Sequence, residues 1–319
     1  MTPDEAPPQW DARVAAAGGM VFHGTPFARV IVAQGRTPWY LEFRAPAGEH
    51  GFGLAEMVRS RLPLVGRARS RIVLQTAPVL PTTIPLGAAL HLVRELARKE
   101  GIGRAEFSSY GAVDPAATAV LRKLGWPARR RLEFLLPLGP DLAATLEHMS
   151  AGHRRNIRKA MSAGFGFRED SSIEGAARLR RLQEATYSRR WEQGNTSPHP
   201  MEEAYYLRTV GAYLGAGAIR FWFVDRDGEE QSALGILVHG SRAYYLVGGT
   251  SEAGYGSRAA FAAFGFAIEA LCNARVTELH LGGVPSEAED PGSPDHGLYR
   301  FKAGFGAEPV SCWDAEGPA

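Results

Sequence analysis

The chain has 319 residues, 45% of them hydrophobic, with 36 Lys and Arg against 34 Asp and Glu. That balance describes a globular chain rather than a disordered one, and a formal charge of +2 gives no overall field that would commit it to nucleic acid. Two cysteines, Cys272 and Cys312, exclude a disulfide framework or a cysteine-built zinc site, and no apolar run approaches the ~20 residues of a membrane helix.

Residues 1–8 carry prolines and acids without an apolar signal core. They are expected as a disordered tail on a cytoplasmic protein. A short helix and turn follow over 9–23, then a strand pair at 28–33 and 39–44 and another strand at 71–76. Over 86–100, Leu86, Leu90, Val93 and Ala97 recur at helical spacing, and Gly101 stops the helix. Strand 104–109, helix 115–124 and strand 131–136 complete a first group whose alternation is that of a mixed α/β sheet.

Asp141 is placed to cap a helix running to 149. In the next helix, His153-Arg154-Arg155-Asn156-Ile157-Arg158-Lys159-Ala160, the residues Ile157, Ala160 and Met161 share one side. Arg154 and Arg158, like Arg155 and Lys159, are like-charged pairs one turn apart, which destabilise an isolated helix. An anionic partner would offset that repulsion, and a solvated face would tolerate it. Gly164 ends the helix and 165–168 reads as a strand. Helix 174–191 finishes in Tyr187-Ser188-Arg189-Arg190-Trp191 ahead of Gly194. A helix at 201–214 precedes strands 218–225, 231–239 and 242–249, the first two joined by the hairpin signal Asp227-Gly228 and the last two by Gly240-Ser241. Helix 257–273 presents Phe261, Phe264, Ile268 and Leu271 on one face, and strand 276–281 closes a β-α-β crossover.

Positive charge is clustered even though the total is near zero. Residues 59–71 hold five arginines and no acid, residues 122–131 five basic residues and no acid, and residues 151–200 ten basic against five acidic. Such patches fit a phosphate-bearing ligand and equally a solvated arginine-rich face. A second phosphate signal lies in Ser251-Glu252-Ala253-Gly254-Tyr255-Gly256-Ser257, between strand and helix. Unpaired N–H groups at a helix start attract anions, Gly254 and Gly256 would let the backbone approach closely, and Ser257 is a cap in the alternative reading. No Cys/His or Ser/His/Asp arrangement is evident, and His23, His280 and His296 read as structural.

The C-terminal part has the most particular order. A strand ends in Gly282-Gly283, a loop over 284–296 is rich in Pro, Gly and acids, and then comes Gly297-Leu298-Tyr299-Arg300-Phe301-Lys302-Ala303-Gly304-Phe305-Gly306. The loop composition predicts a mobile lid at a strand end where α/β sheets bind ligands. Tyr299, Phe301 and Phe305 can anchor the segment and give Lys302 a fixed place. The alternative is an amphipathic turn whose lysine is a solvated end.

The order Gly-Gly, loop, Tyr-x-Phe-Lys-x-x-Phe resembles the C-terminal signature of the Fem-type aminoacyltransferases, which build peptidoglycan cross-bridges from aminoacyl-tRNA. The opening Trp10-Asp11 with Val14 and Val21-Phe22-His23, the run His153 to Ala160, and Arg190-Trp191 before a glycine are similar to the same family. The resemblance implies an α/β fold of two GNAT-like (acyl-CoA N-acyltransferase-like) halves with mixed sheets flanked by helices, residues 1–145 and 146–319, the second being catalytic. It implies amide-bond formation with Lys302 and Tyr299 as catalytic residues. Arg190, with Arg189 beside it, Trp191, Arg154, Arg158, Tyr245 and Phe301 would bind substrate, and Gly254, Gly256 and Ser257 would bind the donor. No metal and no tightly bound cofactor is implied; aminoacyl-tRNA, or acyl-CoA, is the co-substrate. The acceptor is an amine on a peptidoglycan precursor, a polysaccharide or a small metabolite. Two departures leave the donor open. Ser251 stands where acyl-CoA enzymes of this fold carry Gln or Arg, and residues 141–214 hold no long helical-hairpin arm. The other readings are an acyl-CoA-dependent N-acyltransferase and a non-catalytic binding module with a decayed site.

Overall fold

The computed structural model describes residues 5–60, 70–111, 117–192 and 202–319. Two compact units divide the chain: residues 1–131 with 311–319, and residues 132–310. The sequence reading divides it later, at 145/146, and does not anticipate the return of 311–319 to the first unit.

In the first unit, helix α1 (Trp10–Ala16) is followed by α2 (Thr25–Ala33), β1 (Thr37–Arg44) and β2 (His50–Val58). The stretch expected as a strand over 28–33 is therefore helical. Val30, Ile31 and Val32 are β-branched, which disfavours helix slightly, but Gly24 opens the turn and Pro26 pre-sets its first residues. Phe27, Val30 and Ile31 then fall on one buried stripe, while Val32 is 54% exposed. Strand β2, unanticipated because Gly51 and Gly53 dilute its pattern, pairs antiparallel with β1 and with β3 (Arg71–Leu74). Helix α3 (Leu86–Lys99) buries Leu86, Leu90, Val93 and Ala97 as its spacing predicts. Strand β4 (Arg104–Ser108) runs parallel to β3, and α4 (Ala117–Lys123) leads to β5 (Ala128–Pro137). The strand Glu308–Pro318 (β11) returns to lie antiparallel beside β4, Asp314 opposite Ser108. The expected N-terminal tail is ordered at least from residue 5: Pro7 is buried and its carbonyl accepts the Trp10 N–H at 3.1 Å.

The second unit takes residues 132–137 of β5 into a sheet with β10 (Glu278–Pro285), β9 (Arg242–Thr250), β8 (Glu229–His239), β7 (Ile219–Arg226) and β6 (Gly166–Glu169), in that order. Strands β9 and β10 are parallel, and β9-β8, β8-β7 and β7-β6 are antiparallel. Asp227 and Gly228 both have positive φ, 56° and 82°, as a tight hairpin turn requires. Asp141 caps α5 (Leu142–Glu147), its Oδ1 accepting the Ala144 N–H at 2.8 Å. Helix α6 (Ala151–Met161) buries Ile157 and Ala160 against α10 (Ala259–Asn273), where a Cβ on Gly265 would meet Met161 Sδ at 2.6 Å. Helices α7 (Ile173–Glu192), α8 (Glu203–Gly215) and α11 (His296–Gly304) complete the unit. Among the described residues, no helix is long and apolar enough to cross a membrane. Of the sequence expectations, residues 61–69 of the first basic cluster, 115–116, Gly194 and Met201 lie outside the described residues.

Candidate active site

Strand β10 does not stop at residue 281 but carries Gly282-Gly283 within it. Gly282 has φ 75°, and a Cβ there would lie 3.4 Å from Lys302 Nζ and 3.8 Å from the Tyr245 carbonyl oxygen. The positive φ calls for glycine, while both contacts are ordinary van der Waals distances. Helix α11 brings Lys302 to this point, where its Nζ donates to the Gly283 carbonyl at 2.9 Å. The lysine is only 7% exposed, so it is not a solvated end. Burial draws its pKa from the usual 10.5 down to about 7, with Glu133 pulling it up and Arg190 pushing it further down. Near neutrality the side chain is therefore divided between ammonium and amine.

Two fully buried residues belong to the same cluster. Glu133 on β5 is 0% exposed and His280 on β10 is 1% exposed. His280 Nδ1 accepts the Gly282 N–H at 3.0 Å, which leaves the ring proton on Nε2 to donate to Glu133 Oε2 at 2.7 Å. The sequence reading takes His280 as structural. The partner that matters is brought from β5 by the fold.

Helix α7 contributes Tyr187, Arg190 and Trp191, one ridge at helical spacing. The Arg190 guanidinium is 3.4 Å from Asp295 Oδ1, and its charge acts on both Lys302 and Tyr245. Tyr187 and Trp191 pair their rings at 5.9 Å. Tyr245 sits at a break in register, where Gly235 faces Val247 but Ile236 faces Tyr245, so Leu246 is the extra residue of a bulge. Bulges re-aim neighbouring side chains. The Tyr245 ring lies against Gly248, where a Cβ would collide with it. Its phenol is pushed up to about 12 by burial and by Tyr187, against the lowering effect of Arg190.

The remaining expected residues are placed differently. Tyr299 packs edge-on to Phe134, centroids 5.3 Å apart, and stacks with His296 at 5.9 Å. Phe301 is engaged with Phe261 and Phe264 at 5.6 and 5.8 Å, so its neighbours assign it to holding α11 on α10. His153 does the same from α6: its ring contacts Phe261 at 5.1 Å and Phe305 at 4.9 Å, and burial lowers its pKa. Arg154 turns to the Glu147 carbonyl at 3.4 Å and Arg158 is exposed. Among the described residues, neither contributes a contact to the Lys302 cluster.

Two loop expectations are corrected. Gly254 and Gly256 do not form an open phosphate loop but lie in a six-residue helix, α9 (Glu252–Ser257), ended by Arg258 at φ 64°. The Gly254 N–H is taken by Ser251 Oγ at 3.1 Å, Ser257 Oγ donates to Gln231 Oε1 at 2.6 Å, and a Cβ on Gly254 would collide with the Gln231 carbonyl. Gly254 serves close packing on β8, whereas a Cβ on Gly256 would meet nothing within 4 Å. The 284–296 segment, read as a loose lid, is tied down: residues Ser286–Glu289 form a 3-10 turn with Ala288 fully buried, Asp290 Oδ1 accepts the Gly292 N–H at 2.9 Å, and His296 Nδ1 lies 3.0 Å from the Ala288 carbonyl.

Residues 148–303, all within the second unit, match the family model described as the acetyltransferase (GNAT) domain. The fold is accordingly GNAT-like. The solved structure of FemX resembles this chain with a TM-score of 0.78 at 16% identity, covering 96% of this chain and 94% of that one. L-PGS from Bacillus licheniformis gives 0.56 at 12% identity over 99% and 92% of the two chains. A tandem GNAT protein from the clavulanic acid biosynthesis pathway gives 0.52 at 16% identity over 97% and 94%. At such identities the likeness is one of fold. No curated protein matches the sequence.

Proposed function

We propose that the protein is an acyltransferase that forms an amide bond by moving an aminoacyl group from aminoacyl-tRNA to an acceptor amine. The observation that carries this reading is Lys302: a buried lysine held by the Gly283 carbonyl, with pKa brought to about 7. A general acid–base group works best when its pKa lies near the operating pH. In its amine form Lys302 takes a proton from the acceptor nitrogen as that nitrogen attacks the ester carbonyl. The C–N bond forms, the bond from the carbonyl carbon to the ribose oxygen breaks, and the Lys302 ammonium returns the proton to that oxygen. Positioning supplies much of such a rate without a protein nucleophile. Arg190 and Trp191, with Tyr245, border the same place and are assigned to the acceptor, an amine on a peptidoglycan precursor, a polysaccharide or a small metabolite. Aminoacyl-tRNA as donor fits a cytoplasmic site of action.

The aminoacyl reading is supported by the likeness to FemX and by the Tyr299 to Phe305 order. The acyl-CoA reading has less support, because the Gly254 N–H is taken by Ser251 Oγ. A donor screen decides between them, with charged tRNA and acyl-CoAs offered against a panel of amines. Product from charged tRNA that disappears on ribonuclease treatment is expected. Product that survives ribonuclease and requires an acyl-CoA would overturn the tRNA donor, and no product with any pairing would favour a binding module.

A further inference from the structure

Strand β5 runs Leu132-Glu133-Phe134-Leu135-Leu136, so Glu133 places a carboxylate in the middle of an apolar strand at 0% exposure. Burying such a group is costly unless it is hydrogen-bonded and its charge is matched. The match here has two parts. His280 donates to it at 2.7 Å, and Lys302 is the cation on which its charge acts. His280 in turn accepts from Gly282, and the next carbonyl, that of Gly283, holds Lys302 Nζ. Glu133, His280, the glycine pair and Lys302 thus form one continuous chain of contacts.

We propose that Glu133 and His280 are positioning residues for Lys302, a buried pair in which His280 fixes the Gly282-Gly283 turn and Glu133 supplies the negative charge that allows Lys302 to carry a proton. This rests on the acyl-transfer reading of Lys302. The groups around the lysine are Glu133 from β5, His280 from β10, Arg190 from α7, Asp295 ahead of α11, and Tyr245 from β9 with Tyr187 behind it. Asp295 is engaged by Arg190, and the Tyr245 phenol stays neutral through the working range. Glu133 is then the charge that opposes burial and Arg190. Without it the ammonium that forms when Lys302 takes the acceptor's proton loses its matching charge, and Lys302 becomes a weaker base. Without the His280 acceptor, the Gly282 N–H loses its partner and the carbonyl that holds Nζ is no longer fixed.

The chain contains four lysines, Lys99, Lys123, Lys159 and Lys302, so ε-carbon-13 lysine NMR of the full chain resolves the titration directly, with Lys302→Met assigning the signal. The wild-type Lys302 midpoint is expected near 7, and in Glu133→Gln it falls by about one pH unit or more. His280→Leu, which removes the acceptor for Gly282 together with the donor to Glu133, lowers turnover roughly tenfold or more with a smaller movement of the midpoint than in Glu133→Gln. A wild-type midpoint at the ordinary lysine value, or a Glu133→Gln midpoint equal to that of wild type, overturns the proposal. The first of these needs no variant to fold. Because the titration needs no substrate, an unmoved midpoint in an active enzyme removes the pair and leaves acyl transfer standing. A moved midpoint in a chain that accepts no donor does the reverse.

Discussion

Replacing Lys302 by Met separates what the residue does for the fold from what it does for chemistry. The ammonium titrates at about 7 in the folded chain against its ordinary 10.5, a gap of about 3.5 pH units at about 1.36 kcal/mol each. Between those two values the unfolded chain binds more protons than the folded one, so stability rises with pH across the window. Below pH 7 both states are protonated, and the full penalty, about 5 kcal/mol, is present. At pH 7 about 4 kcal/mol of it remains and at pH 9 about 2 kcal/mol. Met has no charge to bury. Its substitution forfeits the hydrogen bond to Gly283, worth about 1 kcal/mol, and the cation that matches the buried Glu133 carboxylate, and both losses offset that gain. The gain varies with pH as Lys302 titrates. Relative to wild type, the stability of Lys302→Met should therefore fall by about 2 kcal/mol between pH 7 and pH 9. Urea unfolding followed by tryptophan fluorescence at the two pH values measures this, and the same variant should lose on the order of a hundredfold in turnover. A stability difference that is equal at both pH values would refute the argument that a buried, titrating ammonium sits at this position.

Gly282→Ala puts a Cβ on a residue with φ 75°; it should cost about 1–2 kcal/mol and lower turnover, and a variant with unchanged melting and rate would remove the backbone-strain argument. Arg190→Gln takes away a cation that opposes protonation of Lys302, so the lysine midpoint should move up, and an unmoved signal would place Arg190 outside its field. Arg154→Glu with Arg158→Glu should weaken binding of charged tRNA and flatten its salt dependence if the exposed face of α6 meets phosphate; an unchanged slope assigns the face to solvent. Asp141→Ala should cost about 1 kcal/mol through loss of the α5 cap, read from thermal unfolding.

The elements that the sequence displayed were those whose cause is local. Asp227-Gly228 announces its hairpin because both residues tolerate positive φ. Leu86, Leu90, Val93 and Ala97 announce their helix because the stripe they form is the stripe that is buried. Val30-Ile31-Val32 misled, because a β-branched run fits a strand until Gly24 and Pro26 are given their weight as a helix start. The candidate site was half legible. Lys302 stood out through its aromatic frame, yet its burial depends on Glu133 and on the end of β10. Glu133 itself carried a signal, a lone acid in an apolar strand, that was passed over. His280 was seen and read as structural, since nothing adjacent in sequence shows that its partner lies 147 positions away. Gly254-x-Gly256 illustrates the opposite error. Glycines permit a phosphate loop, but they also permit close helix packing, and only the position of the Gln231 carbonyl distinguishes the two.

The return of β11 beside β4 sets a timetable for synthesis. Ser108 waits for Asp314 as its neighbour, Arg98 Nε for the Ala319 carbonyl at 2.8 Å, and the Trp126 indole N–H for that of Pro318 at 3.3 Å. At ribosomal rates of about 5–20 residues per second, the roughly 200 residues between these partners take on the order of 10–40 seconds to appear. During that interval β4 presents an open edge, a template for mispairing with other chains. The first unit is therefore completed only when residues 311–319 emerge, whereas residues 132–310 form one contiguous stretch of sequence.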